Sequence, residues 1–196
     1  NMAKNDVATN RKCVIIGGSA GSLKVLLHLI PKIDKTINLP VIIILHRAND
    51  AQSSLEQLLG DHTQLKVKEA EDKETLMPGV VYLAPPNYHL LVERAGTLSL
   101  DCSEKVQFSR PSIDVSFQSA AEVFGSRLLG IILSGANSDG TVGLATIQEC
   151  GGLVAIQNPR NADMPTMPVS ALEAIDPDYI VNDNQIADII NKFGSA

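Results

Sequence analysis

Three side chains in this chain have the types that acyl transfer needs: the hydroxyl of Ser19, the imidazole of His46 and the carboxylate of Asp139. In such a trio the hydroxyl attacks and the imidazole takes its proton. The carboxylate orients the imidazole and stabilises its charged form. The order Ser…His…Asp along the chain is no obstacle, because a triad is defined by geometry. Each member also has a plainer use. Ser19 could cap a helix, and Asp139 could cap the helix that follows it. His46, if buried, needs only a hydrogen-bond partner. Of the other histidines, His28 and His62 belong on the surface, and His89 has a structural place at the start of a strand.

The elements around these residues decide whether they can meet. Ser19 lies in IIGGSAGS, where strand-forming residues run into a glycine-rich turn and an amphipathic pattern begins at Leu23. Glycines let this backbone adopt conformations closed to other residues. A helix start offers unpaired N–H groups and a positive dipole end. Such a turn suits either a phosphate or an activated hydroxyl. It is not G-x-G-x-x-G, no G-K-[ST] follows it, and it lacks the spacing of G-x-S-x-G.

His46 ends the run 41–45, which is apolar at every position. That is the signature of a parallel strand covered on both faces. Asp139 lies in SGANSDG, just past a second such run at 128–133. Further strands are expected at 13–17, 65–69, 80–84, 153–157 and 179–181. Segments 89–93 and 97–100 should form an antiparallel ribbon. Helices are expected at 21–33, 52–59, 113–124, 141–150, 169–175 and 184–193. Leu23, Leu26, Leu27 and Ile30 should form the inner face of the first helix, and Ser54 should cap the second.

This alternation predicts an α/β fold, a doubly wound and mostly parallel sheet with helices on both faces. Ligands of such sheets bind beyond the carboxyl ends of the strands. Ser19, His46 and Asp139 all fall at strand exits on that edge. The expected geometry is Ser19 Oγ within about 2.6–3.2 Å of one His46 ring nitrogen, with the other against Asp139.

The totals bound the function classes. The chain has 196 residues, enough for one domain with a real core, and residues 1–11 read as a loose leader before a domain over 12–196. With a net charge of −6 and no basic run, nucleic acid is an unexpected partner. No apolar run reaches the roughly 20 residues of a membrane span. Cys13, Cys102 and Cys150 are odd in number and widely spaced. They read as reduced thiols of a cytosolic protein, with neither a disulfide framework nor a zinc site.

Taken together, IIGGSAGS, IILHR, PGVVYLAP, RPSID and LSGANSDG resemble, in the same order, the motifs of the CheB chemotaxis protein-glutamate methylesterases. Met167-Pro168 falls where that family has its last Met-Pro. The resemblance covers about 12–190. It implies Ser19 as nucleophile, His46 as base and Asp139 as orienting acid. It also implies an oxyanion and substrate-binding region around Ala20, Gly21, Ala136, Arg47 and Met167. The implied reaction removes methyl groups from glutamate methyl esters on chemoreceptor helices, with deamidation of receptor glutamines at the same site and no metal or organic cofactor. The family's usual N-terminal receiver domain is not in the sequence: either this is a cut-out domain, or the protein is naturally free-standing, with a regulator or receiver domain in trans as its expected partner.

Departures from the pattern surround the triad: Ala20 and Ser22 in the turn, Arg47 after the histidine, Ala136-Asn137 before the aspartate, and Pro165-Thr166 before the last Met-Pro. They bear on substrate choice more than on reaction type. A catalytically altered CheB-like module that binds receptors, and a Rossmann-like nucleotide binder, are the two competing readings.

Overall fold

The structure is a computed structural model that describes residues 11–46 and 54–195. Seven strands form one sheet, all paired in parallel. They are β1 (Cys13–Gly18), β2 (Val41–Leu45), β3 (Lys66–Glu69), β4 (Val80–Leu83), β7 (Leu128–Ile132), β8 (Leu153–Gln157) and β9 (Tyr179–Val181). Their order across the sheet is β3-β4-β2-β1-β7-β8-β9. β1 is therefore central, and the chain order reverses beside it. That is the switch point at which doubly wound sheets open a crevice. The remaining strands, β5 (His89–Val92) and β6 (Leu98–Asp101), make the expected antiparallel ribbon.

Helices α1 (Ser22–Leu29), α2 (Leu55–Gly60), α3 (Ile113–Phe124), α4 (Thr141–Glu149), α5 (Thr166–Ala174) and α6 (Ile186–Ser195) cover the two faces. One layer sets Val14, Ile16, Ile43 and Ile131 against Leu26 and Leu29 of α1 and Ile190 and Phe193 of α6. The other sets Ile15, Ile42, Ile44 and Ile132 against Phe117 of α3, Ile147 of α4, Met167 of α5 and Leu90 and Leu98 of the ribbon. Successive strand residues point to opposite faces, so a strand buried on both must be apolar throughout. The fully buried β2 and β7 obey this.

Two helices differ from expectation. α1 ends at Leu29 and the chain tightens into a short 3₁₀ turn over Ile30–Lys32, where Pro31 cannot continue the helix. Its inner face is Ser22, Val25, Leu26 and Leu29; of the expected set, Leu26 and Ile30 are buried, Leu27 packs partly against the core and Leu23 is exposed. α5 begins at Thr166, three residues early, with Pro168 tolerated in its first turn. Ser54 caps α2 as expected, accepting the N–H of Gln57 at 3.2 Å. The expected leader, apart from Arg11, lies outside the described residues, as does the first part of the 52–59 helix.

Candidate active site

Strand register brings the site together. Gly18 of β1 pairs with Leu45 of β2, so the next residues, Ser19 and His46, leave the sheet side by side. The backbone locks this: His46 N–H donates to Gly18 O at 3.1 Å. On the other side, Ser19 N–H donates to Ser134 O at 2.9 Å, carrying the β1–β7 pairing past the strand ends. The turn then needs a left-handed residue to enter α1. Gly21 supplies it with φ of 84°, and a Cβ there would lie 2.7 Å from both Ser134 Oγ and Asp163 Cβ.

Neither serine nor aspartate takes its plainer role. Gly21 is the N-cap of α1, and no side chain caps that helix. Gly140, also left-handed, is the N-cap of α4, so Asp139 does not cap the helix that follows it. Its carboxylate turns across to His46 and to the start of α3. Oδ2 accepts His46 Nε2–H at 2.8 Å and Ile113 N–H at 2.7 Å. Oδ1 accepts Asp114 N–H at 2.9 Å and the Ser112 hydroxyl at 3.1 Å. Asp139 is fully buried. Burial works to raise its pKa. The hydrogen bonds from His46, Asp114 and Ile113 outweigh it and hold the carboxyl below its ordinary range. With Nε2 committed to Asp139, Nδ1 is the ring nitrogen left to act as a base.

The expected Ser19–His46 hydrogen bond is not formed. Among the described residues, the half-buried Ser19 Oγ has no hydrogen-bond partner. Such contacts often close only around substrate.

Sequence reasoning missed the polar residues packed behind the carboxylate. Asp114, in the first turn of α3, accepts Gly143 N–H at 2.8 Å and so ties down the start of α4. Burial, aided by the adjacent Asp139 carboxylate, pushes the pKa of Asp114 up to about 6. His89 is buried, with Nε2–H donating to Glu104 O at 2.9 Å and Nδ1 accepting Ser112 N–H at 3.1 Å. On the Ser19 side, Ser134 Oγ donates to Ala20 O at 2.7 Å and accepts Met164 N–H at 2.8 Å. The R-P-S-I-D and L-S-G stretches were the available signals.

Ala20, next to Ser19, and Ala136, two residues after the Ser134 that accepts the Ser19 N–H, are exposed, and among the described residues neither backbone N–H has an acceptor. Gly21 shapes the turn and is half-buried. Met167 corrects an expectation. It is fully buried, its side chain packed under Gly135, and its N–H donates to Gly135 O at 2.9 Å. It supports the 135–136 backbone and has no surface for a substrate. Arg47 lies outside the described residues. Among those residues, no three His, Cys, Asp or Glu side chains are grouped as a metal site, and no helix is long and apolar enough to cross a membrane.

The family model for CheB methylesterase matches residues 14–190. The chain belongs to the CheB methylesterase family. A CheB relative from Leptospira interrogans, named provisionally as a protein-glutamate methylesterase/protein-glutamine glutaminase, is 42% identical over 180 residues, 92% of this chain and 93% of its own. The Thermotoga maritima protein-glutamate methylesterase/protein-glutamine glutaminase is 34% identical over 177 residues, and the match spans 52% of that longer protein. The crystal structure of the Thermotoga maritima CheB methylesterase catalytic domain superposes with a TM-score of 0.89 at 32% identity, covering 93% of this chain and 98% of that one. The CheB fold thus accounts for both the parallel sheet and the ribbon.

Proposed function

We propose that the protein is a serine hydrolase that removes methyl groups from glutamate γ-methyl esters on chemoreceptor helices, releasing methanol. The observation that carries this reading is the 2.8 Å hydrogen bond from His46 Nε2 to Asp139, at the strand exit beside Ser19. In the mechanism, Ser19 Oγ attacks the ester carbonyl while His46 Nδ1 takes its proton. The oxyanion that forms is met by the free N–H groups of Ala20 and Ala136. Collapse of the tetrahedral species expels methoxide, which takes the proton back from His46 and leaves as methanol. Water, deprotonated by the same imidazole, then cleaves the acyl-enzyme to a glutamate. Asp139 holds the ring and stabilises its charged form throughout. With a glutamine side chain in place of the ester, the same steps release ammonia, in keeping with the second activity in the relatives' names.

Arg47 directly follows the base in sequence, and we assign it to substrate selection. A guanidinium favours a helix that also carries unmethylated glutamates. The free cysteines suit a reducing compartment, and the cytoplasm is the proposed location. A regulator or receiver domain in trans remains part of the proposal. The deciding experiment is a methanol-release assay on a methylated receptor fragment, with Ser19→Ala as control. Release that depends on Ser19 supports the reading. Absence of release, together with failure of a fluorophosphonate to label Ser19, overturns it in favour of a binding module.

A further inference from the structure

The chain just before α3 makes an unusual turn. Val106 N–H donates to Ser109 O at 3.1 Å, and Ser109 N–H returns to Val106 O at 2.9 Å. The two residues between them both have left-handed backbones, with φ of 47° at Gln107 and 65° at Phe108. Turns of this kind are the natural place for Asn and Gly, and a bulky aromatic in that region is an outlier. Phe108 is also 96% exposed, far more than any other large apolar side chain among the described residues. Backbone strain and an apolar ring in water are both unfavourable, and here they coincide on one residue. Strain held in place by its surroundings points to a function for the residue that bears it.

The surroundings do hold it. Gln107 Nε2 donates to Asp114 Oδ2 at 3.3 Å. Arg110 Nη1 reaches Cys102 O at 2.8 Å and Ser103 O at 2.7 Å, closing the base of the loop. His89 fixes Glu104 O from beneath. The turn is therefore a braced projection and not a slack loop. It also stands at the active-site edge. Asp114, which Gln107 touches, gives its N–H to the same Asp139 that holds His46.

We propose that Phe108 is the docking anchor for the polypeptide substrate, an apolar prong that seats against the hydrophobic flank of the helix carrying the target ester. The proposal rests on the methylesterase reading above and adds where the substrate protein is gripped. A docked aromatic ring desolvates a large area, and such residues dominate interface energetics. A pre-formed prong loses little conformational freedom on binding. Because the ring lies outside the proton-transfer apparatus, its contribution falls on association and not on the chemical step.

The test compares Phe108→Ala and Phe108→Gly with the parent on two substrates, a methylated chemoreceptor fragment and a small neutral glutamate γ-methyl ester. Both variants should raise KM for the fragment roughly tenfold, with kcat little changed and hydrolysis of the small ester unaltered. Phe108→Gly should in addition melt higher than the parent, because glycine relieves the left-handed strain. Unchanged KM for the fragment in both variants overturns the proposal. So does an equal loss on both substrates, which would place Phe108 in the fold or the chemistry. Binding of the fragment to Ser19→Ala protein, with and without Phe108→Gly, separates this idea from the catalytic one. Weaker binding of the double variant upholds the anchor even where the parent releases no methanol, and equal binding removes it.

Discussion

Asp139 and Asp114 each accept a backbone N–H at the start of a helix, α3 and α4 in turn. Asp139 accepts that of Asp114, and Asp114 accepts that of Gly143. The carboxylate proposed to orient His46 is therefore also a fastener between two helices. Asp139→Ala should be poorly active and also less stable. Four donors lose their acceptor: His46 Nε2, Ser112 Oγ and the N–H groups of Ile113 and Asp114. The expected cost is about 2–4 kcal/mol, to be read from urea unfolding midpoints.

Ser19→Ala should behave in the opposite way. Its hydroxyl has no partner among the described residues, so the melting temperature should stay within about 2 °C of the parent. Turnover should fall on the order of 10⁴–10⁶-fold. Ser19→Ala with His46→Ala should be scarcely worse than either alone in a methanol-release assay, because a triad fails as a unit.

Asp114 gives the protein a pH-dependent stability term. Its carboxyl titrates near 6 in the fold and near its ordinary value of 3.8 when unfolded. Between those values the folded state holds the extra proton. The stabilising contribution is thus complete below about pH 4 and is lost as pH rises through about 6. Asp139 runs the other way, with its contribution present above its unfolded value and lost as acid protonates it in the fold. Asp114→Asn keeps an acceptor for Gly143 but carries no charge. Thermal melts from pH 4 to 7 should show this variant gaining on the parent as pH rises. A gap that does not change with pH would mean the carboxyl is not perturbed.

Ser134→Ala tests the support beneath Ser19. It removes a donor to Ala20 O and an acceptor for Met164 N–H, both beside the turn that bears the nucleophile. The stability loss should be about 1–3 kcal/mol. kcat should fall roughly tenfold through displacement of the 19–20 backbone, with KM for a small ester nearly unchanged.

Arg47→Met should lower kcat/KM on an acidic receptor helix and flatten its salt dependence, since a charge pair across a wet interface is screened by salt. On a small neutral ester it should change little. Equal effects on both substrates would remove Arg47 from substrate selection.

Much of this was legible in the sequence because parallel sheets write themselves plainly. The uniformly apolar 41–45 and 128–133 runs announce strands buried on both faces, and the residues at their exits announce the site edge. The first helix was harder. Its seam of Val25, Leu26 and Leu29 competes with Leu23 and Leu27 on the same short segment, and only packing against the sheet selects one face. Met167 misled because a motif position says nothing about which way a side chain points. The Asp139 cradle stayed hidden because half of its donors are backbone N–H groups of a helix that begins 26 residues earlier in the chain. No side-chain pattern records such a bond.

The placement of β1 bears on how the molecule comes into being. Its neighbours are β2, made soon after it, and β7, in which Leu128 faces Cys13. The central strand therefore waits, half paired, until most of the chain has been synthesised. Contacts so distant in sequence slow folding. The third member of the site arrives only after β7 docks and α3 is in place to receive Asp139. During refolding, recovery of hydrolysis should trail the return of helical signal. A nascent or truncated chain ending before residue 139 lacks Asp139 and, on the proposed mechanism, would be catalytically silent.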